Sequence, residues 1–305
     1  MNMLHKYFLG FFLLQVGFIG YAQATLRIET TTQDLAAIAR AVGGQHVNVH
    51  SLTLGTRDPH FAVAKPSMIR RVYRADLLLV IGAEMEIGWL PPLLQSARNN
   101  RVQVGNSGYL DLSKAIHLLG KIQGEVSRAM GDVHANGNPH YWLDPRNGIL
   151  IANAIAEKLI QLDPEHTKDY QLNAINFEKL IMNKLTKWRE ALRHLNGKPV
   201  VAYHKSFIYL ADVFGFHIVD EVEPKPGIAP SAASLSKLIA KLKNEKIDLL
   251  IMEPYYERRS SRYLNEQTGI KTAIIPQSVG AQKNIISYVD LFDSIVKVLK
   301  PKEEK

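Results

Sequence analysis

Residues 76–81, DLLLVI, are the stretch of sequence that decides the fold. Residues 247–252, IDLLIM, have the same character in the second half of the chain. Short, nearly continuous apolar runs are typical of strands that are buried on both faces of a parallel sheet. Around both runs, short β-branched segments alternate with helical patterns, which favours βα units. The sequence therefore predicts an α/β protein of two lobes, each with a parallel sheet flanked by helices.

A long helix is predicted between the two lobes. Residues 166–195 contain neither proline nor glycine, and a helix of that length would extend about 45 Å at 1.5 Å per residue. A rigid backbone helix of this size can brace two lobes and limit their relative motion. We therefore expect an N-terminal lobe over residues 25–145, linking helices with the long spine over 146–196, and a C-terminal lobe over 197–305.

The first 24 residues have the pattern of a signal peptide. Lys6 precedes an apolar run at 8–21, and Ala22-Gln23-Ala24 supplies the small residues that signal peptidase reads. The mature chain is then expected to begin near Thr25. The sequence contains no cysteine, which argues against a lipid-modified cysteine, thiolate metal ligands and disulfides. We therefore expect a periplasmic protein that is exported by a cleavable signal peptide and is not a lipoprotein.

The charge balance is basic, with 37 Lys+Arg against 29 Asp+Glu. The basic residues are dispersed and do not form a cluster or an arginine-rich segment. Nucleic-acid binding, which uses clustered basic surfaces, is therefore not expected.

Three of the eleven histidines occupy positions that favour metal binding. His60 lies on a loop after a predicted strand, His204 directly follows the strand at 200–203, and His140 lies in a stiff proline-flanked loop. Ligands of open α/β sheets bind outside the carboxyl ends of the strands. Imidazole nitrogen suits zinc, copper, nickel and iron, and three histidines leave four-coordinate zinc one ligand short. Glu253, at the end of the strand at 247–252, is the predicted fourth ligand, although a carboxylate that orients a histidine would fit the same position.

Several ordered motifs extend over the mature chain. They are Asp58-Pro59-His60 followed by Pro66-Ser67, GAEME at 82–86 with Trp89, PHYWLDP at 139–145, His204 after its strand, EPKPGI at 223–228, and Glu253-Pro254. With these motifs the chain resembles the zinc/manganese-type periplasmic solute-binding proteins of ABC importers. The resemblance implies that His60, His140 and His204 bind Zn²⁺, with Mn²⁺ or another divalent transition metal possible. It also implies delivery of the ion to an ABC permease/ATPase complex at the inner membrane by a monomeric binding protein that is not an enzyme.

The chain departs from the pattern of this family at two places. Where many members have a late-loop aspartate ligand, this chain has Gln277, so Glu253, Gln277 or water must complete the shell. The segment before His140 lacks the long histidine-rich loop of many zinc-specific members, and only His134 remains as a candidate auxiliary ligand.

Two other functions are compatible with parts of the sequence. A zinc-dependent periplasmic hydrolase would use the open coordination site, with Glu253 as general base, but the sequence has no HExxH pair. A binder of a siderophore or corrinoid would need aromatic residues in the crevice, and candidates are Trp89, Trp142, Tyr255 and Tyr256.

Overall fold

Two parallel four-stranded sheets form the framework of the protein. The computed structural model describes residues 25–122, 134–223, 225 and 227–301, so the predicted signal peptide lies outside the described residues. The first sheet has the order β2-β1-β3-β4 and the second β6-β5-β7-β8. The strands are β1 Leu26–Thr30, β2 Val47–Ser51, β3 Leu77–Val80, β4 Tyr109–Asp111, β5 Pro199–Ala202, β6 His217–Glu221, β7 Leu249–Met252 and β8 Lys271–Ile274.

The two predicted apolar runs form inner strands. All four residues of β3 are buried, as are the last three of β7. Each of these strands lies between two parallel neighbours, which explains why neither face carries polar residues. The two sheets have equivalent strand orders, and the predicted fold class of two α/β lobes joined by a long helix is confirmed.

Nine helices cover the sheets within the described ranges. They are α1 Gln33–Gly43, α2 Pro66–Arg74, α3 Leu90–Ala97, α4 Pro145–Leu162, α5 Thr167–Leu192, α6 Ile208–Phe214, α7 Ala232–Glu245, α8 Arg259–Thr268 and α9 Tyr288–Leu299. Serine caps two of these helices: Ser231, for which the sequence predicts this role, accepts a hydrogen bond from Ser234 N, and Ser287 forms a reciprocal capping box with Asp290.

The sequence predicts Ser67 as the N-cap of α2, because serine can accept a bond from a first-turn amide, and this prediction is wrong. Lys65 holds the N-cap position, Pro66 is the first residue of α2, and Ser67 lies inside the helix. Proline suits the first helical position because its φ is already helical and its missing N–H would have no partner there.

The spine helix α5 is 26 residues long, flanked by single 3₁₀ turns at Pro164–His166 and Arg193–Leu195. Asn173 donates from Nδ2 to Val42 O in the N-terminal lobe at 3.0 Å. Near the other end, Trp188 Nε1 donates to Asp293 Oδ1 of α9 at 2.8 Å. The same helix is therefore attached to both lobes.

The two lobes also touch directly. Asp34 in α1 accepts hydrogen bonds from Val279 N at 2.9 Å and from Ser278 Oγ at 2.5 Å, in the loop after β8. Asp34 is fully buried, and burial raises its pKa to about 7 against the hydrogen bonds that favour the carboxylate. Within the described ranges, no helix combines the length and apolar character needed to cross a bilayer.

Candidate metal centre

Local structure brings each candidate histidine to the junction of the lobes. His60 lies in the 3₁₀ turn Pro59–Phe61, where the carboxylate of Asp58 accepts from the backbone N–H of His60. His140 immediately precedes the 3₁₀ turn Tyr141–Leu143. His204 follows β5 by two residues, as predicted from the strand-end pattern.

The three imidazoles converge. Ligand atoms of His60, His140 and His204 all lie within 4.8 Å of one another, and no other histidine, aspartate or glutamate of the described ranges belongs to this group. The ring centroid of His60 is 5.1 Å from that of His140 and 5.9 Å from that of His204, and the remaining pair is 5.6 Å apart. All three residues are at most 7% exposed. The structure thus brings together the three histidines named from the sequence.

Each of these rings is oriented by an oxygen atom. Nδ1 of His60 lies 2.7 Å from Asp58 Oδ1, and Nδ1 of His204 lies 2.7 Å from Glu223 Oε2. Nδ1 of His140 lies 3.1 Å from Asn138 Oδ1. Because these oxygens accept hydrogen bonds, each Nδ1 carries the proton and Nε2 keeps its lone pair. This arrangement of oxygen, imidazole and free nitrogen is usual around protein-bound metals.

Four buried polar atoms at this junction have no hydrogen-bond partner among the described residues: His134 Nδ1, His140 Nε2, Glu253 Oε2 and Gln277 Nε2. Such atoms are rare in folded proteins and are suited to bind a water molecule or an ion. The other oxygen of Glu253 accepts from Ser206 Oγ at 2.5 Å. Glu253 is fully buried beside the histidines, but it is not in the group of atoms within 4.8 Å of one another.

Burial sets the protonation of the cluster. It raises the pKa of Glu253 to about 7, opposed by the charge of His204 and the Ser206 hydrogen bond. Burial, together with neighbouring histidines, lowers the pKa of His140 well below its usual value. Burial opposes the charge on His204 as well, yet the hydrogen bond that His204 donates to Glu223 and the charge of Glu253 raise its pKa. Neutral imidazoles, which metals require, are thus most strongly favoured at His140.

Gln277, the alternative fourth ligand, is 2% exposed. Its Oε1 accepts from the hydroxyl of Tyr255, and its main-chain oxygen accepts from Trp142 Nε1 at 2.9 Å. The side-chain oxygen that would bind a metal is therefore already engaged.

His134 was only an auxiliary candidate in the sequence, yet its Nε2 lies 3.2 Å from Nε2 of His60. Burial and the neighbouring histidines lower the pKa of His134 to about 3. Its position next to His60, 74 residues earlier in the chain, depends on tertiary contacts that no local pattern announces.

Both tryptophans proposed for an organic-ligand pocket are buried. Trp89 Nε1 donates to Pro59 O at 3.0 Å, and Trp142 donates to the loop of Gln277. Both tryptophans therefore support the loops around the histidine cluster. This packing role is the alternative to lining a pocket for an organic ligand.

Comparison with known proteins assigns the chain to the solute-binding proteins of metal ABC transporters. Residues 28–301 match the family described as "Zinc-uptake complex component A periplasmic", and the chain belongs to this family. Because the family consists of solute-binding proteins, the expectation that the chain is not an enzyme is confirmed.

Similar curated proteins differ in the metal that their names state. The chain is 26% identical over 260 residues to the metal ABC transporter substrate-binding lipoprotein FimA of Streptococcus parasanguinis, covering 82% of this chain and 79% of that protein. It is 25% identical over 256 residues to the manganese-transporter lipoprotein PsaA of Streptococcus pneumoniae (80% and 77% covered). It is 26% identical over 258 residues to the iron-transporter lipoprotein MtsA of Streptococcus pyogenes serotype M1 (80% and 77% covered). These relatives are named lipoproteins, which is at odds with our expectation that this chain is not a lipoprotein. This chain has no cysteine to which a lipid could be attached.

Solved structures share the fold. The crystal structure of ZnuA superposes with a TM-score of 0.74 at 21% identity, covering 90% of this chain and 97% of the other. The manganese-bound periplasmic metal-binding protein of Candidatus Liberibacter asiaticus superposes with a TM-score of 0.74 at 18% identity, covering 90% and 98%.

Proposed function

We propose that the protein binds a divalent transition metal, preferably zinc, through His60, His140, His204 and Glu253. The protein then delivers the ion to the permease and ATPase of an ABC importer. The observation that carries the proposal is the convergence of three buried imidazoles whose ligand atoms lie within 4.8 Å of one another. Each ring is held by its own oxygen acceptor, so the ordering cost of metal binding is low.

The donor set favours zinc over manganese. Three imidazole nitrogens suit zinc, copper and nickel, whereas manganese is better served by carboxylate and carbonyl oxygens. The names of two relatives state manganese and iron, which are the metals of those proteins. The preference for zinc that we propose is argued from the ligand residues of this chain.

Glu253 supplies the oxygen ligand in this proposal. Its buried Oε2 has no partner within the described ranges, and its ionised form would offset part of the charge of the cation. The side-chain oxygen of Gln277 is neutral and already accepts from Tyr255, so it is the weaker candidate.

Each lobe carries two of the four proposed metal ligands. We assign residues 25–145 to the lobe that carries His60 and His140, and residues 197–305 to the lobe that carries His204 and Glu253, with 146–196 as the connecting spine. Docking of the loaded monomer on the permease would separate the two lobes and release the ion.

The signal-like pattern of residues 1–24 supports export of the protein. We propose that signal peptidase cleaves after Ala24 and that the protein is free in the periplasm without a lipid anchor. An intact-mass measurement of the protein from a Gram-negative periplasm tests this: a chain that begins at Thr25 is expected, and an added lipid mass contradicts it.

The metal proposal is tested by competitive zinc titration of the metal-free protein with a chromophoric chelator. His60→Ala, His140→Ala and His204→Ala are each expected to weaken binding by more than about 100-fold, because each removes a metal–nitrogen bond. His50→Ala, which changes an exposed histidine on β2, is the control and should bind like the unaltered protein.

Variants of the two candidate oxygen ligands belong in the same titration. Glu253→Ala is expected to weaken zinc binding, and Gln277→Ala to have less effect. Unchanged binding by the three histidine variants would refute the site, and the reverse order of Glu253→Ala and Gln277→Ala would refute the assignment of the oxygen ligand.

A further inference from the structure

Asn138 is hydrogen-bonded through both its side chain and its main chain at the junction of the lobes. Its Oδ1 accepts from the backbone N–H of His140 at 2.9 Å and from His140 Nδ1 at 3.1 Å. Its Nδ2 donates across the junction to Lys205 O at 2.5 Å. The main-chain N–H donates to Leu119 O at 2.8 Å, and the main-chain oxygen accepts from the hydroxyl of Tyr209 at 2.7 Å. These contacts fix one orientation of the amide, with the oxygen toward one lobe and the nitrogen toward the other.

The segment to which this side chain donates lies between the two ligands of the C-terminal lobe. Lys205 directly follows His204 and directly precedes Ser206. Ser206 N donates to His204 O at 2.8 Å, and Ser206 Oγ donates to Glu253 Oε1 at 2.5 Å. The main chain of residues 204–206 therefore holds both His204 and Glu253.

Tyr209, in α6 of the C-terminal lobe, strengthens the same contact. Its hydroxyl donates to Asn138 O and accepts from Leu119 N at 2.9 Å, so it joins two main-chain segments of the N-terminal lobe. Tyr209 is 1% exposed and Asn138 is 6% exposed. A buried network whose polar groups all have partners is rigid, because loss of one partner leaves another group desolvated. Neither of the two hydroxyl bonds involves a proposed metal ligand.

An asparagine can join a ligand to the opposite lobe in a way that a carboxylate cannot. The carboxylates that orient His60 and His204 belong to the same lobe as their rings. An ionised carboxylate only accepts hydrogen bonds, whereas the amide of Asn138 has an acceptor and a donor on one side chain. The acceptor serves the histidine of its own lobe, and the donor reaches the carbonyl of Lys205 in the other.

We propose that Asn138 is a positioning residue that couples metal affinity to the contact between the lobes. This inference rests on the proposed function of the three buried histidines. While the lobes are in contact, Lys205 O fixes Nδ2 of the amide, and Oδ1 is thereby presented to His140 Nδ1. When the lobes separate, the amide loses Lys205 and Tyr209, and His140 loses its fixed acceptor. Such acceptors typically contribute about 10–100-fold to metal affinity. The affinity therefore falls as the lobes part, before any ligand leaves the ion.

The test is a competitive zinc titration of metal-free Asn138→Ala, Tyr209→Phe and the double variant. Asn138→Ala is expected to weaken zinc binding by about 10–100-fold. Tyr209→Phe should weaken it by about 3–10-fold, the worth of one hydrogen bond, although it removes no bond to a proposed ligand. The double variant should bind like Asn138→Ala alone, because Tyr209 acts through Asn138. Asn244→Ala, which changes an exposed asparagine of α7, is the control.

Asn138→Asp separates the link between the lobes from the orientation of the ring. Aspartate keeps an acceptor for His140 Nδ1 but cannot donate to Lys205 O. If Asn138 only oriented the ring, the added negative charge would make zinc binding at least as tight as in the unaltered protein. Coupling between the lobes instead predicts an affinity between those of Asn138→Ala and the unaltered protein. Circular dichroism of the metal-free variants checks their folding, and Asn138→Asp and Tyr209→Phe carry the test if Asn138→Ala does not fold.

The outcomes distinguish this inference from the proposed function. If Asn138→Ala and Tyr209→Phe keep the zinc affinity while His60→Ala loses it, the inference is overturned and the three-histidine site stands. Binding by Asn138→Asp at least as tight as that of the unaltered protein, or additive losses in the double variant, would overturn the coupling. If His60→Ala, His140→Ala and His204→Ala all bind zinc normally, the proposed function itself fails.

Discussion

Asp34 and Val279, 245 residues apart, are joined by a hydrogen bond of 2.9 Å that runs from the backbone N–H of the C-terminal lobe to a buried carboxylate of the N-terminal lobe. The same carboxylate accepts from Ser278 Oγ. Both donors lie directly after Gln277, so the contact also fixes the loop that passes beside the histidine cluster.

This contact makes stability depend on pH. Burial raises the pKa of Asp34 from 3.8 to about 7, so between these values the folded protein holds a proton that the unfolded chain releases. The stabilisation is present at low pH and is lost as pH rises through about 7. Asp34→Asn, which stays neutral, should therefore show a smaller decline in the free energy of unfolding from about pH 5 to about pH 8. Denaturant titrations at several pH values measure this, and Glu190→Gln on the exposed side of α5 is the control. A decline as steep as that of the unaltered protein would contradict it.

Gly55 lies against the same C-terminal loop. A Cβ at this position would lie 1.9 Å from Val279 O and 2.9 Å from Ala281 N, both backbone atoms that cannot rotate away. Gly55→Ala is expected to destabilise the protein by about 1–3 kcal/mol, as overpacking does. Thermal denaturation tests this, with Gly88→Ala as control, because the nearest atom to its Cβ is 3.9 Å away. Equal melting temperatures for the two variants would show that the loop yields without cost.

We expect Glu223 to support metal binding through His204. Its Oε2 lies 2.7 Å from His204 Nδ1, and both side chains are 6% exposed. Glu223→Gln keeps the shape but removes the negative charge that makes the imidazole a stronger donor. We expect zinc affinity to fall by about 10–100-fold without loss of folding. Competitive titration measures the zinc affinity, and Glu257→Gln, which changes an exposed neighbour, is the control. An unaltered zinc affinity of Glu223→Gln would show that Glu223 does not support metal binding.

Zinc affinity should fall as the solution becomes acidic. Burial raises the pKa of Glu253 to about 7, and His204 also has a raised pKa, despite its burial, because of Glu223 and Glu253. Below about pH 7 the cation must displace a proton from Glu253, and the raised pKa of His204 means that a second proton competes with the cation as the pH falls. Glu253→Gln removes one of these protons and should flatten the pH dependence of zinc affinity measured by competition. An equally steep dependence would mean that Glu253 does not titrate with binding.

The strands and the three histidines could be predicted because their signals are local. An apolar run such as Leu77–Val80 shows burial on both faces, and a histidine just after a strand is placed at the sheet edge by that strand alone. The sequence pattern predicts no helix over Leu90–Ala97, whose second and third residues are prolines; proline normally interrupts a helix but is tolerated in its first turn.

Other parts of the site depend on contacts between distant residues. Glu84 receives hydrogen bonds from residues 51 and 52 positions later, and its positive φ is unusual for glutamate. No periodicity or motif predicts such contacts. No local pattern predicts the contact between His134 and His60 either, because that contact depends on the position of the turn that Glu84 holds.

A small rotation of the spine helix about one end moves its other end by more than a metal–ligand bond tolerates. Its 26 residues extend about 39 Å, so a pivot of about five degrees at one end moves the other by about 3 Å. Metal–nitrogen bonds tolerate errors of only about 0.2 Å. A helix attached to both lobes can therefore move the proposed metal ligands apart while every helix and strand keeps its internal structure.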